Sequence, residues 1–221
     1  MKQVLIFDYD GVIVDSLSLF MKFFFEACEL YGYKDLASKE EFLKLFDGNM
    51  FDKMMEKGMS EKTILKIVNH LKKELLKNQE KINIFPDIKF VLNELSNHFP
   101  LIISTSNETS VVRNYLKSKN IEHLFVDIYG SDIEPSKVKK IQLIQNQLDA
   151  DKYTYVGDTV GDIKEAKQAN IHTIAVSWGW HKKNDLERFN PDFLIQKPMD
   201  LISLLILNSS SNNDIKTQLK K

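Results

Sequence analysis

Two pairs of closely spaced carboxylates stand out in this 221-residue chain. Asp8 and Asp10 follow the apolar run Val4-Leu5-Ile6-Phe7 and precede Gly11. In an extended segment, residues two apart project to the same side, so these acids repel each other and invite a divalent cation. Oxygen-only ligands suit Mg²⁺. An Asp-Gly turn closing a strand is the plain alternative. The second pair, Asp158 and Asp162, lies in Val156-Gly157-Asp158-Thr159-Val160-Gly161-Asp162. Four residues apart at the entry to a helix, the two acids share one side of the turn. Asp158 is the expected direct ligand of a Mg²⁺ ion that keeps several waters. Asp162 is expected to hold a water or a lysine, or to cap the helix it enters.

The elements that must position these acids follow from periodicity. Residues 4–7 read as a buried strand, and the C-terminal ends of such strands are where open α/β sheets bind ligands. Ser16 or Asp15 can cap a helix running to about Tyr31, with an aromatic face of Phe20, Phe23, Phe24 and Phe25 suited to packing. Helical segments follow at 38–46, 49–57 and 60–81, and nothing there alternates like a strand. After a turn at 83–87, helices (88–97, to about 119, 136–148, 163–169) alternate with strands (100–104, 124–129, 153–156, 172–177, 192–195). That alternation predicts an α/β, doubly wound, Rossmann-like parallel sheet. The expected organisation is a core of 1–16 and 83–207, an inserted helical cap of 17–82, and a polar, disordered tail of 208–221.

The run Phe7-Asp8-Tyr9-Asp10-Gly11-Val12-Ile13-Val14-Asp15-Ser16 closely resembles the first signature of the haloacid dehalogenase-like hydrolases, which are mostly phosphatases. The resemblance makes Asp8 a nucleophile that becomes phosphorylated and Asp10 a general acid/base. It implies a hydroxyl at the end of an apolar strand, for which Thr105 fits best among Ser104, Thr105 and Ser106, with amides of Ser106 and Asn107 beside it. It also implies a phosphate-holding lysine. Lys137 after Pro135-Ser136 fits, although Val138 replaces the usual proline and Lys139 or Lys140 could serve instead. Asp158 and Asp162 match the last signature, so the implied metal ligands are Asp8, Asp10 and Asp158. The segment 175–180 is similar to phosphoglycolate phosphatase-like members. The implied activity is Mg²⁺-dependent hydrolysis of a small phosphomonoester, phosphoglycolate or a sugar phosphate, through an aspartyl-phosphate.

Within that resemblance several rivals remain. Dehalogenases lack the second aspartate, and Asp10 is present. A β-phosphoglucomutase-like mutase usually carries a histidine where this chain has Phe20. A phosphonate-cleaving member needs a cap lysine for a Schiff base, and nothing singles one out. A non-catalytic regulatory protein binding phosphometabolites would not need Asp8, Asp10 and Asp158 together. In the cap, Phe46-Asp47-Gly48-Asn49-Met50-Phe51-Asp52-Lys53 breaks the helical pattern, which makes Asn49 and Lys53 candidate substrate contacts.

Composition narrows the partners. A formal net charge of −1 gives no electrostatic case for nucleic acid or a membrane surface. One cysteine, Cys28, allows no intrachain disulfide and no zinc cluster, and its apolar neighbours make it a small core residue. No apolar run approaches the ~20 residues that span a bilayer, and the first residues show no signal core. A cytoplasmic protein acting on a small phosphorylated metabolite is the expectation. The sequence names neither the substrate nor an oligomeric state.

Overall fold

The computed structural model describes residues 2–36 and 38–207; the expected tail at 208–221 lies outside them. The opening apolar run forms strand β1 (Gln3–Phe7). Leu5 and Phe7 face one hydrophobic cluster and Val4 and Ile6 another, and all four are fully buried. A strand covered on both faces has no solvent side to mark with polar residues, which explains the uninterrupted apolar sequence.

After β2 (Val14–Asp15) the chain leaves for α1 (Leu17–Leu30), α2 (Lys39–Lys44), α3 (Met50–Glu56) and α4 (Glu61–Lys77). It returns through β3 (Asn83–Ile84), which pairs antiparallel with β2. The exit and return of the helical insertion are therefore laced together. The sequence predicted only a turn here, because two residues are too few to show alternation. Then come α5 (Ile88–Ser96), β4 (Leu101–Ser104), α6 (Thr109–Ser118), β5 (Asp127–Tyr129) and α7 (Lys137–Gln147). Next come β6 (Lys152–Gly157), α8 (Val160–Gln168), β7 (His172–Val176), α9 (Lys183–Glu187), β8 (Phe193–Ile195) and α10 (Asp200–Ile202).

The main sheet is parallel, in the order β5-β4-β1-β6-β7-β8. Helices α5, α6 and α10 cover one face, α7 and α8 the other. The sheet is the expected doubly wound α/β core. Strand order reverses around β1, so the crevice at its C-terminal end is the switch point where such sheets bind ligands.

The insertion packs on its own cluster, which includes Phe24, Phe42, Met54, Ile64, Ile67 and Cys28. Burial pushes the Cys28 thiol up to about 12, which fits an inert core residue. Phe42 is fully buried against Phe24, Phe20 and Phe46, with ring centroids 5.1–5.9 Å away. Truncating such a phenylalanine to alanine costs about 3–5 kcal/mol. One member of this cluster comes from outside the insertion: Trp180, from the loop after β7.

Candidate active site

Three central strands deliver the acids and hydroxyls to one edge. Asp8 follows β1, Thr105 follows β4 and Asp158 follows β6. Register explains the convergence: Phe7 lies opposite both Ile103 and Val156, which sets Asp8 level with Ser104 and Gly157, and Thr105 and Asp158 emerge one residue further along the same edge. The Asp8 amide donates to the Val156 carbonyl at 2.9 Å, continuing the ladder by one step.

Carboxylate oxygens of Asp8, Asp158 and Asp162 lie within 4.8 Å of one another, and all three residues are buried. One lysine answers them. Lys137, the first residue of α7, donates to Asp8 Oδ2 at 3.0 Å and to Asp162 Oδ1 at 2.5 Å. Burial lowers the affinity of the Lys137 ammonium for its proton, but the Asp162 and Asp8 charges outweigh this and hold its pKa well above the usual lysine range. Burial raises Asp8 and Asp158. It pushes Asp162 up as well, yet the Lys137 charge and hydrogen bonds from Lys137 and Thr159 leave that carboxyl below its ordinary value.

The two acids of the second pair do different work. Asp162 Oδ2 accepts from the Asp158 and Thr159 amides and the Thr159 hydroxyl, completing a capping box with Thr159. That cap starts α8 at Val160, three residues before the expected position. Asp158 Oδ2 accepts from the Trp180 amide at 2.6 Å, while Oδ1 is buried with no partner. A buried, unpaired carboxylate oxygen facing two other acids is costly unless a cation meets it, so this donor set fits a hard divalent ion. Gly11, at φ +76°, makes room: a Cβ there would stand 2.0 Å from Asp158 Oδ2.

Asp10 is not brought into that carboxylate group. Its Oδ1 accepts from the Ser16 hydroxyl at 2.6 Å and its Oδ2 from the Asn107 side-chain amide at 2.5 Å. Burial raises the Asp10 pKa, partly offset by those two bonds. Ser16, expected as a helix cap, makes no side-chain cap bond because its hydroxyl is spent on Asp10. Asn107 was expected only as a loop amide; a polar side chain two residues past a strand end was the available signal.

Thr105 is fully buried and its hydroxyl accepts from the Asn107 amide at 3.1 Å. Ser106 and Asn107 line the cavity above Asp8, together with Asp10 and Lys137. Lys140 is also fully buried, but its ammonium holds the Thr105 carbonyl and burial lowers its pKa to about 8. Lys137 thus reaches the carboxylates, and Lys140 braces the hydroxyl loop.

The helical insertion roofs the cavity with Phe20, Phe46, Gly48 and Asn49 among others. Asn49 is at the cavity, although its side-chain oxygen caps α3 by accepting from the Phe51 and Asp52 amides. Lys53 is not among the lining residues, and its ammonium pairs with Glu56 at 2.6 Å. Contacts from the insertion reach α8 and the loop after β7, both of which adjoin Asp158. Phe46 O accepts from the Gly161 amide at 2.8 Å, so close that a Cβ on Gly161 would sit 2.9 Å from that oxygen. His181 Nδ1 accepts from the Val160 amide at 3.0 Å, leaving Nε2 to donate to Leu43 O at 3.1 Å. Trp180 packs between Phe20 and Phe46, at 5.0 and 4.7 Å. Sequence periodicity gave no sign of the contacts made by Trp180 and His181, since neither lies in a periodic element.

Among the described residues no helix is long and apolar enough to cross a membrane. Comparison with known proteins agrees with the site. The family model for haloacid dehalogenase-like hydrolases matches residues 5–176. The chain is 25% identical to the phosphoglycolate phosphatase of Synechococcus elongatus over 203 residues, covering 90% of this chain and 95% of that protein. It is 26% identical to the pyrophosphatase PpaX of Oceanobacillus iheyensis, covering 92% of this chain and 96% of that protein. Among solved structures, a haloacid dehalogenase-like family hydrolase from Streptococcus pneumoniae superposes with a TM-score of 0.77 at 27% identity, over 92% of this chain and 98% of that one. A predicted phosphatase from Clostridium acetobutylicum shares the fold with a TM-score of 0.82 at 19% identity, over 93% and 99%. With the family model spanning five of the six strands, the carboxylate group and the insertion alike, the chain belongs to the haloacid dehalogenase-like hydrolases and is an enzyme.

Proposed function

We propose that this enzyme is a Mg²⁺-dependent phosphatase that hydrolyses a small phosphomonoester through an aspartyl-phosphate on Asp8. The class, phosphoric monoester hydrolase, follows from the family and from relatives named phosphatases. The observation that carries the mechanism is the position of Asp8. It lies at the sheet's switch point, paired to Lys137, beside the unpaired Asp158 oxygen and below a roofed cavity.

In this reading the substrate phosphoryl group lies between Asp8 and the Thr105-Ser106-Asn107 loop, whose hydroxyls and amides take its oxygens. An Asp8 carboxylate oxygen attacks phosphorus, and the bond to the leaving oxygen breaks. Asp10, whose raised pKa suits a group that changes protonation state, gives its proton to that oxygen. It then removes a proton from the water that attacks phosphorus and releases Asp8 with inorganic phosphate. Lys137 holds Asp8 in place and offsets the charge that gathers on the phosphoryl oxygens. Asp8 and Asp158 would hold Mg²⁺, which when bound supplies positive charge against the phosphoryl group. Asp162 keeps Lys137 in position. Both Asp10 oxygens are engaged by Ser16 and Asn107, which favours its acid/base role over the ligand role expected alongside it.

Residues 17–82 act in this reading as the cap and residues 1–16 with 83–207 as the core. The cap shuts out bulk water at the attack step and admits one water afterwards. Phe20 supports hydrolysis over phosphosugar mutation, since the cavity wall there is an apolar ring with no proton to give. The relatives named phosphoglycolate phosphatase and pyrophosphatase favour a small anionic phosphate compound, met in the cytoplasm. The test is turnover of p-nitrophenyl phosphate and a panel of phosphorylated metabolites, with Mg²⁺ and with chelator. Activity that needs Mg²⁺ and vanishes in Asp8→Asn, with the fold intact, is expected. An active Asp8→Asn variant would remove the nucleophile, and tight binding without any turnover would favour a regulatory protein.

A further inference from the structure

Helix α4 presents an apolar stripe at helical spacing: Ile64, Ile67, Val68, Leu71 and Leu75 all belong to the insertion's cluster. Lys72 interrupts it. It stands four residues after Val68 and three before Leu75, where the pattern calls for an apolar side chain. A charge on the packed face of an amphipathic helix needs a reason. Lys72 lines the catalytic cavity with Asp8, Asp10 and Lys137. Lys72 and Lys137 are the only cationic residues among those lining it, and Lys137 is already held by Asp8 and Asp162. The one ion-pair partner of Lys72 among the described residues is Glu108, at 3.5 Å, with both side chains well exposed (40% and 50%). A long, exposed pair of this kind holds weakly. Glu108 gives its side chain to no helix cap either.

Resting on the phosphatase reading above, we propose that Lys72 determines specificity by binding a second anionic group on the substrate. That group is a carboxylate or a further phosphate, remote from the phosphoryl group held at Asp8. The ammonium exchanges Glu108 for this group as the substrate enters. Val68, Leu71 and Leu75 flank the site, so the pairing forms beside apolar surface, where a charge-assisted bond is stronger than in water. A neutral ester leaves Lys72 on Glu108 and gains nothing from it.

The experiment compares 2-phosphoglycolate and inorganic pyrophosphate with 2-hydroxyethyl phosphate, a neutral-tailed ester of similar size. Wild type, Lys72→Met and Glu108→Gln are assayed with Mg²⁺. Wild type should favour one of the two anionic compounds, and which one identifies the second group. In Lys72→Met the kcat/KM ratio of that compound to the hydroxyethyl ester should fall roughly tenfold to hundredfold, as expected for a lost charge-assisted bond. The fall should appear mainly in KM, as for a remote group bound alike in ground and transition states. Glu108→Gln should keep or raise the ratio, because it frees Lys72. Equal losses on all three compounds in both variants would make the pair a mere tether between cap and core and overturn the proposal. An unchanged ratio in Lys72→Met, or wild-type preference for the neutral ester, would overturn it too. Binding separates failure here from failure of the phosphatase reading. In an Asp8→Asn background, the preferred anionic compound should raise the Tm more than the hydroxyethyl ester does, and adding Lys72→Met should erase that difference whether or not the wild type turns any compound over.

Discussion

Replacing Lys137 by methionine removes the one cation held by the buried carboxylates while keeping an apolar stem on α7. The side chain of Lys137 is 11% exposed, those of Asp8 and Asp162 12% and 1%. At 3.0 and 2.5 Å, each pair is worth roughly 5–7 kcal/mol of gross Coulomb attraction at an effective dielectric near 20. Most of that is offset by desolvation, and removing one partner of a buried pair costs about 3–5 kcal/mol net. Lys137→Met should therefore lose about that much stability in urea unfolding near neutral pH, measured in chelator so that no cation substitutes for the ammonium. The loss should shrink toward pH 5. Burial holds Asp8 above its unfolded pKa already, so the folded variant takes up protons at higher pH than the unfolded chain. Its stability consequently falls as pH rises through that window. Adding Mg²⁺ should raise the stability of the variant more than that of wild type, because three carboxylates without a lysine bind a dication more tightly. A variant within about 1 kcal/mol of wild type in chelator, against that expectation, would refute the idea that Lys137 neutralises the site.

Three further outcomes follow from the geometry. Asp10→Asn should slow alkyl phosphates far more than aryl phosphates, since only poor leaving groups need its proton; equal slowing, measured as kcat on both, would deny it the acid role. Asp158→Ala should raise the Mg²⁺ concentration for half-maximal activity by removing the unpaired Oδ1, and an unchanged metal titration would place the ion elsewhere. Burial pushes the Lys140 ammonium down to about 8 from the ordinary lysine value of 10.5. Between those values the unfolded chain binds the extra proton, so wild-type stability relative to Lys140→Met should rise with pH, at a rate approaching 1.4 kcal/mol per unit. A flat difference across that window would show that the Lys140 ammonium is not desolvated.

The sheet was legible because its central strands are buried on both faces, so that residues 4–7 and 101–104 announce themselves as apolar runs. The acids were legible because Asp8, Asp158 and Asp162 sit within a few residues of strand ends, where local spacing fixes direction. What escaped depends on chain crossings. Asn107 reaches Asp10 across 97 residues of sequence, and Ser16 abandons its cap for the same acid. Lys53 was the expected substrate contact because it lies at the glycine-containing break of the helical pattern, whereas Lys72, inside a regular charged helix, gave no such signal. Packing reverses this: Lys53 turns to Glu56 on its own helix, while Lys72 sits on the stripe that α4 presents to the cavity.

Among the described residues, insertion and core meet on two sides: Lys72, Gln79 and Ile82 reach α6 and the residue before it, and a second group of contacts adjoins Asp158. Its carboxylate is held by the Trp180 amide, and the Trp180 ring lies in the insertion's aromatic cluster. Its backbone carbonyl accepts from the His181 amide, and the His181 ring ties Val160 to Leu43. Gly161, one residue before Asp162, donates to Phe46. A swing of the insertion away from the sheet must therefore break bonds in the segments that hold Asp158 and Asp162. Opening would loosen the carboxylate group in the same step that admits solvent, and closure would rebuild it around the substrate. In the proposed mechanism such coupling would complete the site only when the insertion is shut, the condition under which an acyl phosphate on Asp8 meets a single water. Trp180, carried by the loop after β7 and packed among the insertion's aromatic rings, is where those contacts concentrate.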